Sequence, residues 1–462
     1  MGNKKYDVNI CRNFLIFCDI LRYLQSKEIV MIEFPPKIAQ TPIGQVSTDV
    51  KDALTKINNQ YLYWSDVKYR NNGLELSAEQ LWRCVKQSRS TTDINVWDFD
   101  NIHFSLTNSM QRLYHRFDMN FGGSWGASKI FPEDKQTQDL YLVSSIMEEA
   151  IASSQIEGAA TTREVAKEML RKKISPKDKS QQMIVNNYHT INFIRDHAHE
   201  DLTPQLVMQI HSMMTENALD VLDAAGRFRK EEENIVVGDG ITGETVHTPP
   251  SADILPAFIE RLCTFFNDKE PEVFIHPILR AIIVHFLIGY YHPFADGNGR
   301  TARALFYWYM MRSNYWLIQY MSISRVIKGT KKAYEKAYLF SECDGNDMGY
   351  FIQYNLDVLH KSFEELRKYL IRKNNEKKKS ERLLHLGNIS SRQSQILARF
   401  IDNPEEVVTS MDIIERFKVS PGTAKSDLKK LVRAGYLDEI SLNGRTKGYM
   451  KSQSMDDMIS NI

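Results

Sequence analysis

Tyr291-His292-Pro293-Phe294-Ala295-Asp296-Gly297-Asn298-Gly299-Arg300, with Arg303 three residues further on, puts a candidate base, a candidate metal ligand, a glycine-rich turn and two arginines in one short stretch. Apolar runs flank it, Ile278 to Tyr290 before and Ala302 to Met311 after. That is the layout of a helix, an anion-binding loop and the positive end of a second helix. Gly297-Asn298-Gly299 admits backbone angles closed to most residues, so successive N–H groups can point into one concavity. A helix opening near Arg300 leaves its first N–H groups unpaired and brings partial positive charge to the same spot. Arg300 and Arg303 share a face of that helix, and guanidinium groups match phosphate oxygens in a two-pronged geometry. Asp296 suits a hard divalent cation that also touches phosphates. His292 is placed to take a proton from an attacking hydroxyl, and Phe294 is expected to point into the core. Singly, each part has an ordinary reading: a structural histidine, a plain turn, a solvated pair of arginines. Together they predict a polyphosphate site with a base beside it.

The same residues resemble the signature of the Fic family, His-x-Phe-x-Asp/Glu-Gly-Asn-Gly-Arg-x-x-Arg, at every fixed position: His292, Phe294, Asp296, Gly297, Asn298, Gly299, Arg300 and Arg303. The resemblance runs from about Asn187 to Lys361 and includes the segment from Tyr334 to Leu359. It implies a mainly helical fold and transfer of AMP from Mg-ATP to a hydroxyl side chain of a target protein. It further implies His292 as general base and Asp296 as magnesium ligand. Gly297, Asn298 and Gly299 become the anion hole, and Arg300 and Arg303 the phosphate clamps. Tyr334 is implied to line the adenine pocket. In the branch resembling the Doc toxin, which phosphorylates its target, the second loop glycine is a lysine. Gly299 stands here, which favours AMP transfer. Phosphocholine transfer by a Fic relative uses the same motif and stays open as an alternative.

Upstream, Glu148 to Glu168 reads as one helix containing Ser153-Ser154-Gln155-Ile156-Glu157-Gly158. Ser153 and Glu157 then share a face, and Gly158 allows close approach to another backbone. By itself this is an ordinary amphipathic helix with a solvated glutamate. It also resembles the Ser/Thr-x-x-x-Glu-Gly/Asn inhibitory motif that accompanies many Fic domains, in the class with an N-terminal inhibitory helix. That resemblance implies Glu157 pairing with Arg303 in the space needed by a γ-phosphate, hence autoinhibition; a related reading has Glu157 orient water for removal of AMP. In Asn234 to Pro250, β-branched runs flank a glycine-rich turn, which predicts a hairpin. It is either a plain surface hairpin or, by resemblance, the Fic flap over 234–248 whose edge receives the target segment as an added strand.

The chain of 462 residues allows about three domains with ample core. Formal charge is +1, which gives no global attraction to nucleic acid or acidic membrane. Five scattered cysteines, at 11, 18, 84, 263 and 343, show no zinc spacing and fit a reducing compartment. The apolar run Phe14 to Leu24 contains Asp19 and Arg22 and is too short to span a bilayer. It lacks a small-residue cleavage site, and Tyr6 stands where a myristoylation signal wants Ser or Thr. The expectation is a cytoplasmic protein without membrane contact, with a homodimer open.

The predicted fold is mainly α: a Fic helical domain with a β-hairpin flap, a helical N-terminal region and a C-terminal winged helix (α+β). The expected division is an accessory, mostly helical region 1–135 and a catalytic domain 136–365 with an inhibitory helix 147–171. A basic helical linker 366–383 and a winged helix-turn-helix 384–462 follow. The linker rests on eight Lys or Arg against two Glu between Arg367 and Arg382. The last domain rests on helices at Ser391 to Phe400, Ser410 to Phe417 and Ala424 to Ala434. A hairpin over Leu437 to Met450 turns at Asn443-Gly444. Lys425, Lys429, Lys430, Arg445 and Lys447 could neutralise DNA phosphates, although Glu405, Glu406, Asp412, Glu415, Asp427, Asp438 and Glu439 dilute the charge. Two function classes therefore stand: a regulated protein adenylyltransferase using ATP and Mg2+, and a DNA-binding regulator whose Fic domain senses nucleotide.

Overall fold

The structure is a computed structural model that describes residues 32–37, 46–97, 100–122, 131, 135–220, 222–238, 245–269, 271–384, 389–403, 406–442 and 446–455. The run Phe14 to Leu24, Cys11, Cys18, Glu405, the Asn443-Gly444 turn and Arg445 lie outside them, as does 239–244 at the tip of the expected flap. The fold is mainly helical. The chain divides into two compact units, Met1–Ser124 with Leu140–Ser362, and Trp125–Asp139 with Phe363–Ile462.

In chain order the first unit contains α1 (Thr48–Asn59), a single turn Trp64–Val67, α2 (Ala78–Ser90), β1 (Asp93–Trp97), β2 (Ile102–Ser105) and α3 (Asn108–Phe117). It continues with α4 (Lys135–Ile156, of which the part from Leu140 belongs to this unit), α5 (Arg163–Lys172), α6 (Lys179–Asp196), α7 (Pro204–Thr215), β3 (Val237–Gly238), β4 (Thr245–His247) and α8 (Leu255–Asn267). Then come α9 (Pro277–Tyr291), α10 (Asn298–Arg312), α11 (Ile323–Gly329), α12 (Lys331–Cys343) and α13 (Gly349–Leu384, of which the part up to Ser362 belongs to this unit). Helix starts follow local chemistry. Thr162, Asp178 and Thr203 each accept a bond from the backbone N–H three residues on, and Ser77 with Gln80 forms a reciprocal capping box. Helix α9 is buried all round from Ile278 to Ile288 and apolar there except for Arg280 and His285, so it forms the axis of the unit. Helix α10 packs against it and is itself buried from Arg300 to Met311.

Two expectations are corrected here. The stretch 147–171 is not one helix: α4 stops at Ile156 and α5 starts at Arg163. Gly158 takes φ +96°, which ends the helix, and the Thr162 side chain caps the next one by accepting from Val165 N. A Cβ at Gly158 would meet nothing within 4 Å, so this glycine serves the turn and not a close backbone approach. Within the mostly helical N-terminal region β1 and β2 pair antiparallel, from Asp93 opposite Ser105 to Trp97 opposite Ile102. The expected hairpin near 234–248 is present as β3 and β4, with Val237 opposite His247.

The second unit contains α14 (Ser391–Asp402), β5 (Val408–Thr409), α15 (Ser410–Phe417), α16 (Pro421–Arg433), β6 (Leu437–Ser441) and β7 (Lys447–Lys451). The strands form one antiparallel sheet in the order β5-β7-β6 over a core that includes Ile396, Phe400, Ile413, Leu428 and Tyr449. The short β5 carries no sequence pattern of its own and is held by Val408 pairing with Tyr449. No described helix is long and apolar enough to cross a membrane. Cys84, Cys263 and Cys343 are free.

Helix α2 is fastened to the rest of its unit by a buried polar cluster. Arg89, 2% exposed, donates to Asn58 Oδ1 (3.1 Å), Tyr350 OH (2.9 Å) and Leu62 O (2.9 Å) and stacks on the Tyr61 ring. Lys86 bridges Asp344 and Asp347 at 2.8 and 2.9 Å. Arg89→Ala would strand these acceptors without water, at a cost of about 3 kcal/mol. Chemical denaturation of that variant should show a midpoint well below wild type, and an unchanged midpoint would refute the assignment.

Candidate active site

Helix α9 ends at Tyr291, and His292 caps it in the left-handed region at φ 47°, ψ 57°. A non-glycine residue is held there only by its surroundings. Arg229 supplies much of that hold: its Nε donates to His292 O (2.8 Å), its N–H to Pro293 O (2.9 Å), and its NH2 to Pro250 O. The His292 Nδ1 lies 3.0 Å from Gly289 O. A carbonyl only accepts, so the proton of the neutral ring sits on Nδ1 and the Nε2 lone pair is left for other work. Burial pulls the His292 pKa down to about 4, against the bond to Gly289 O, and the ring is neutral at pH 7.

The loop is closed from below. Phe294 is fully buried and stacks on His211 at 3.8 Å between ring centres. The N–H of Gly226 donates to His211 Nδ1 (3.0 Å), so His211 Nε2 carries the proton that goes to Asp296 O (2.8 Å). Asn298 turns its side chain inward, accepting from Phe294 N (2.9 Å) and donating to Phe294 O (2.7 Å). It therefore contributes only its backbone N–H to any anion. Gly297 caps α10 at φ +85°, with no side chain to satisfy the first N–H groups, and a Cβ there would stand 2.8 Å from Thr215 Cγ2. Gly299, by contrast, has an ordinary helical φ. Its lack of a side chain matters because a Cβ would lie 2.2 Å from Glu157 Oε1. The expectation that both glycines supply unusual backbone angles thus holds at 297 and is corrected at 299.

Both arginines are buried on the first turns of α10. Arg300 NH1 donates to Met214 O at 2.9 Å, and its NH2 stands 3.6 Å from Asp296 Oδ1. Arg303 Nε donates to Ser153 Oγ (2.9 Å), and its NH2 to Ser153 O (3.0 Å) and Glu157 Oε1 (2.9 Å). Three donors remain without a hydrogen bond: Arg300 Nε, Arg300 NH2 and Arg303 NH1. Burial pushes the Glu157 carboxyl up, but the charges of Arg303 and Arg300 outweigh it and hold the group below its ordinary value. Gly158 lies outside the contact and only shapes the turn. Asp296 is half exposed beside the loop, and no cluster of three or more metal-binding side chains occurs among the described residues. Tyr334 sits in an aromatic group with Tyr338, Phe351 and Tyr354, its hydroxyl 3.0 Å from His285 Nε2.

The structure thus brings His292, Asp296, Gly297, Gly299, Arg300, Arg303, Ser153 and Glu157 around one end of α10. Arg229 and His211 were missed by sequence reasoning, since each is a lone polar residue with no local pattern. His247 on β4 belongs with them. Its Nδ1 faces Glu342 Oε2 (3.0 Å) and its Nε2 faces Tyr290 O (2.7 Å). Two acceptors require two N–H groups; burial opposes the charge, but Glu342 raises the pKa above its ordinary value.

Residues 201–310 match the model of the Fic/DOC family, and the whole stretch from His292 to Arg303 lies inside that span. The chain is similar to a protein adenylyltransferase Fic of Nematostella vectensis, 35% identical over 120 residues, 25% of this chain and 24% of that one. It is similar to protein adenylyltransferase fic-1 of Caenorhabditis elegans, 34% identical over 117 residues, 25% of this chain and 21% of that one. The chain therefore spans about a quarter of the length of these curated relatives. Among solved structures it is similar to a Fic family protein from Desulfovibrio desulfuricans, at 17% identity and TM-score 0.49, covering 76% of this chain and 98% of that one.

The buried imidazoles set a stability profile. His211 and His292 are drawn by burial from 6.5 to about 4, and His285 to about 3. Between pH 6.5 and 4 the unfolded chain binds protons at these positions that the folded chain refuses. Stability should therefore fall as pH drops through that window and hold above it. Urea unfolding between pH 7 and 5 checks the sign. Replacing His211 or His292 by Gln should flatten the slope.

Proposed function

We propose that the protein is an adenylyltransferase that moves AMP from ATP to a hydroxyl side chain of a protein, and that Glu157 restrains it. The carrying observation is the set of buried guanidinium donors without hydrogen bonds, Arg300 Nε, Arg300 NH2 and Arg303 NH1, at the uncapped start of α10 beside a neutral imidazole. Buried unpaired donors are rare and suit an oxyanion ligand. The names of the relatives in the matched region support the choice of adenylyl transfer.

The geometry supports the following roles. Arg300, Arg303 and the first N–H groups of α10 would bind and orient a polyphosphate. The hydroxyl oxygen of the target bonds to the α-phosphorus while the bond from that phosphorus to the bridging oxygen breaks. Pyrophosphate leaves, and the hydroxyl proton passes to His292 Nε2. Proton transfer of this kind contributes roughly a hundred- to ten-thousandfold. A single half-exposed carboxylate fits magnesium, which prefers one or two carboxylates together with phosphate oxygens. Asp296 would hold that ion, whose charge would offset that of the phosphates. Hairpin β3–β4 would take the target segment along its edge by backbone pairing, which demands little of the target's sequence.

Glu157 supports the restraint. Its carboxylate occupies Arg303 NH2 and fills the space left by the missing side chain of Gly299. A γ-phosphate could reach Arg303 only by displacing it. On this reading α4 is the N-terminal inhibitory helix of its class, ending where the restraint begins.

A second reading concerns the C-terminal unit, a winged helix-turn-helix that would bind DNA. On α16 the exposed positions include Lys425, Lys429, Lys430 and Arg433, whereas Asp427, the one acidic residue of the helix, is buried against Arg392 and Gln393. Such a cationic face should give binding to duplex DNA that weakens steeply with salt and is unaffected by His292→Ala.

Intact-mass spectrometry after incubation with Mg-ATP tests the main reading. Glu157→Gly should raise the yield of an AMP-sized adduct by about tenfold or more, on the order of one lost charged contact. Adding His292→Ala should abolish it while nucleotide binding persists. A phosphate-sized gain, a phosphocholine-sized gain with the matching donor, or removal of AMP from a modified protein would each overturn the proposed reaction.

A further inference from the structure

The hairpin β1–β2 lies outside the matched span 201–310, yet it reaches the residue next to His292. Tyr291 is 1% exposed, and its hydroxyl has two partners from that hairpin. It accepts from Trp97 Nε1 at 2.8 Å and donates to the carboxylate of Asp100. The phenol ring is stacked on Phe258 at 3.9 Å between centres, and the Trp97 indole packs edge-on against both rings. The hairpin is itself anchored: Asn346 Nδ2 donates to Asp100 O (2.7 Å), and Met348 N to His103 O (2.8 Å). Tyr291 is thus fixed on its ring side by the hairpin, while Arg229 fixes the carbonyl of the next residue.

That placement bears on the base. His292 follows the last residue of α9 in a left-handed conformation, which is strained for a non-glycine residue and does not hold itself. A single hydroxyl bonded at both lone pair and proton, out of water, fixes the Tyr291 side chain and so restrains the backbone that leads into His292. The contacts of Trp97 and Asp100 lie with Tyr291 and its neighbours and not with the arginines of α10, so their effect should fall on orientation and leave nucleotide affinity alone.

We propose that Trp97 and Asp100 are positioning residues that hold the His292 imidazole in its reactive orientation through the hydroxyl of Tyr291. The inference rests on the proposed transferase reading for its kinetic test but has an independent one. In the Glu157→Gly background, Tyr291→Phe removes only an oxygen and should lower kcat on the order of tenfold with KM for ATP unchanged. Asp100→Ala should do the same, and Asp100→Asn, whose amide oxygen still accepts the hydroxyl proton, should recover most of the loss. The double variant Tyr291→Phe/Asp100→Ala should be no slower than the worse single one, because both remove one bond. Independently of turnover, 15N spectra of the imidazoles should show the His292 titration midpoint moving up from about 4 in Tyr291→Phe as the ring loosens into water.

A kcat within about twofold of the parent together with an unmoved His292 titration would overturn the proposal, as would multiplicative losses in the double variant. If the parent transfers no AMP at all, the transferase reading falls and the His292 titration alone decides this one. Should Asp100→Ala fail to fold, the comparison of Tyr291→Phe with Asp100→Asn decides between the same two outcomes.

Discussion

Two guanidinium groups are kept out of water on successive turns of one helix, and much of the surrounding structure compensates for that. Arg300 and Arg303 are 0% and 1% exposed. Removing such ions from water costs several kcal/mol each even after relaxation. Met214 O, Ser153 O, Ser153 Oγ, the Glu157 carboxylate and the Asp296 carboxylate, 3.6 Å from Arg300 NH2, offset part of the cost and leave three donor atoms without a hydrogen bond. The apolar helix α9 supplies the dry wall, the side-chain gap at Gly299 lets an anion close in, and the break after Ile156 brings Glu157 to the spot. A region that is electrostatically under-satisfied has been packed as tightly as a core, which is what a site prepared for a more highly charged ligand requires.

Three imidazoles show how the same scaffold sets protons without changing residue type. His211 accepts from an amide and therefore donates from Nε2. His292 faces a carbonyl at Nδ1 and keeps a lone pair at Nε2. His247 faces two acceptors, and Glu342 raises its pKa above the ordinary value against the opposing effect of burial. Each state follows from which backbone or carboxylate group stands opposite each nitrogen. His211 and His292 are both kept neutral, chiefly by burial, and the charges of His247 and Arg229 add to that at His292. The ring with the raised pKa, His247, lies on the hairpin next to Glu342.

What could be read from the sequence was what is local. The loop from His292 to Arg303 concentrates its chemistry in consecutive residues, and the long apolar helices on each side have a period that needs no partner to be recognised. The C-terminal helices and the pairing of β6 with β7 were legible for the same reason. The turn at Glu157-Gly158 was hidden because Ser153 to Gly158 fits helical spacing, and only the φ of Gly158 and the cap at Thr162 break it. The β1–β2 hairpin carried a signal that went unread: Ile94, Val96, Ile102 and Phe104 alternate with other residues on either side of Asp98-Phe99-Asp100-Asn101, in which three of four residues are turn formers. Arg229, His211 and the Trp97–Asp100–Tyr291 contact could not be read at all, because their partners come from distant parts of the chain. The inward turn of Asn298 is likewise a tertiary fact, since only the position of Phe294 decides it.

The end of α4 has an energetic side that the ion pair conceals. Glu157 immediately follows the last helical residue, where the aligned peptide dipoles carry partial negative charge, and a carboxylate there is disfavoured by roughly 0.3–1 kcal/mol. Its own helix therefore pushes the carboxylate away, and only the arginines across the gap hold it. Once a competing anion takes those arginines, the same dipole favours outward movement of the side chain. The contact is thus spring-loaded, and the spring is the backbone of α4 itself.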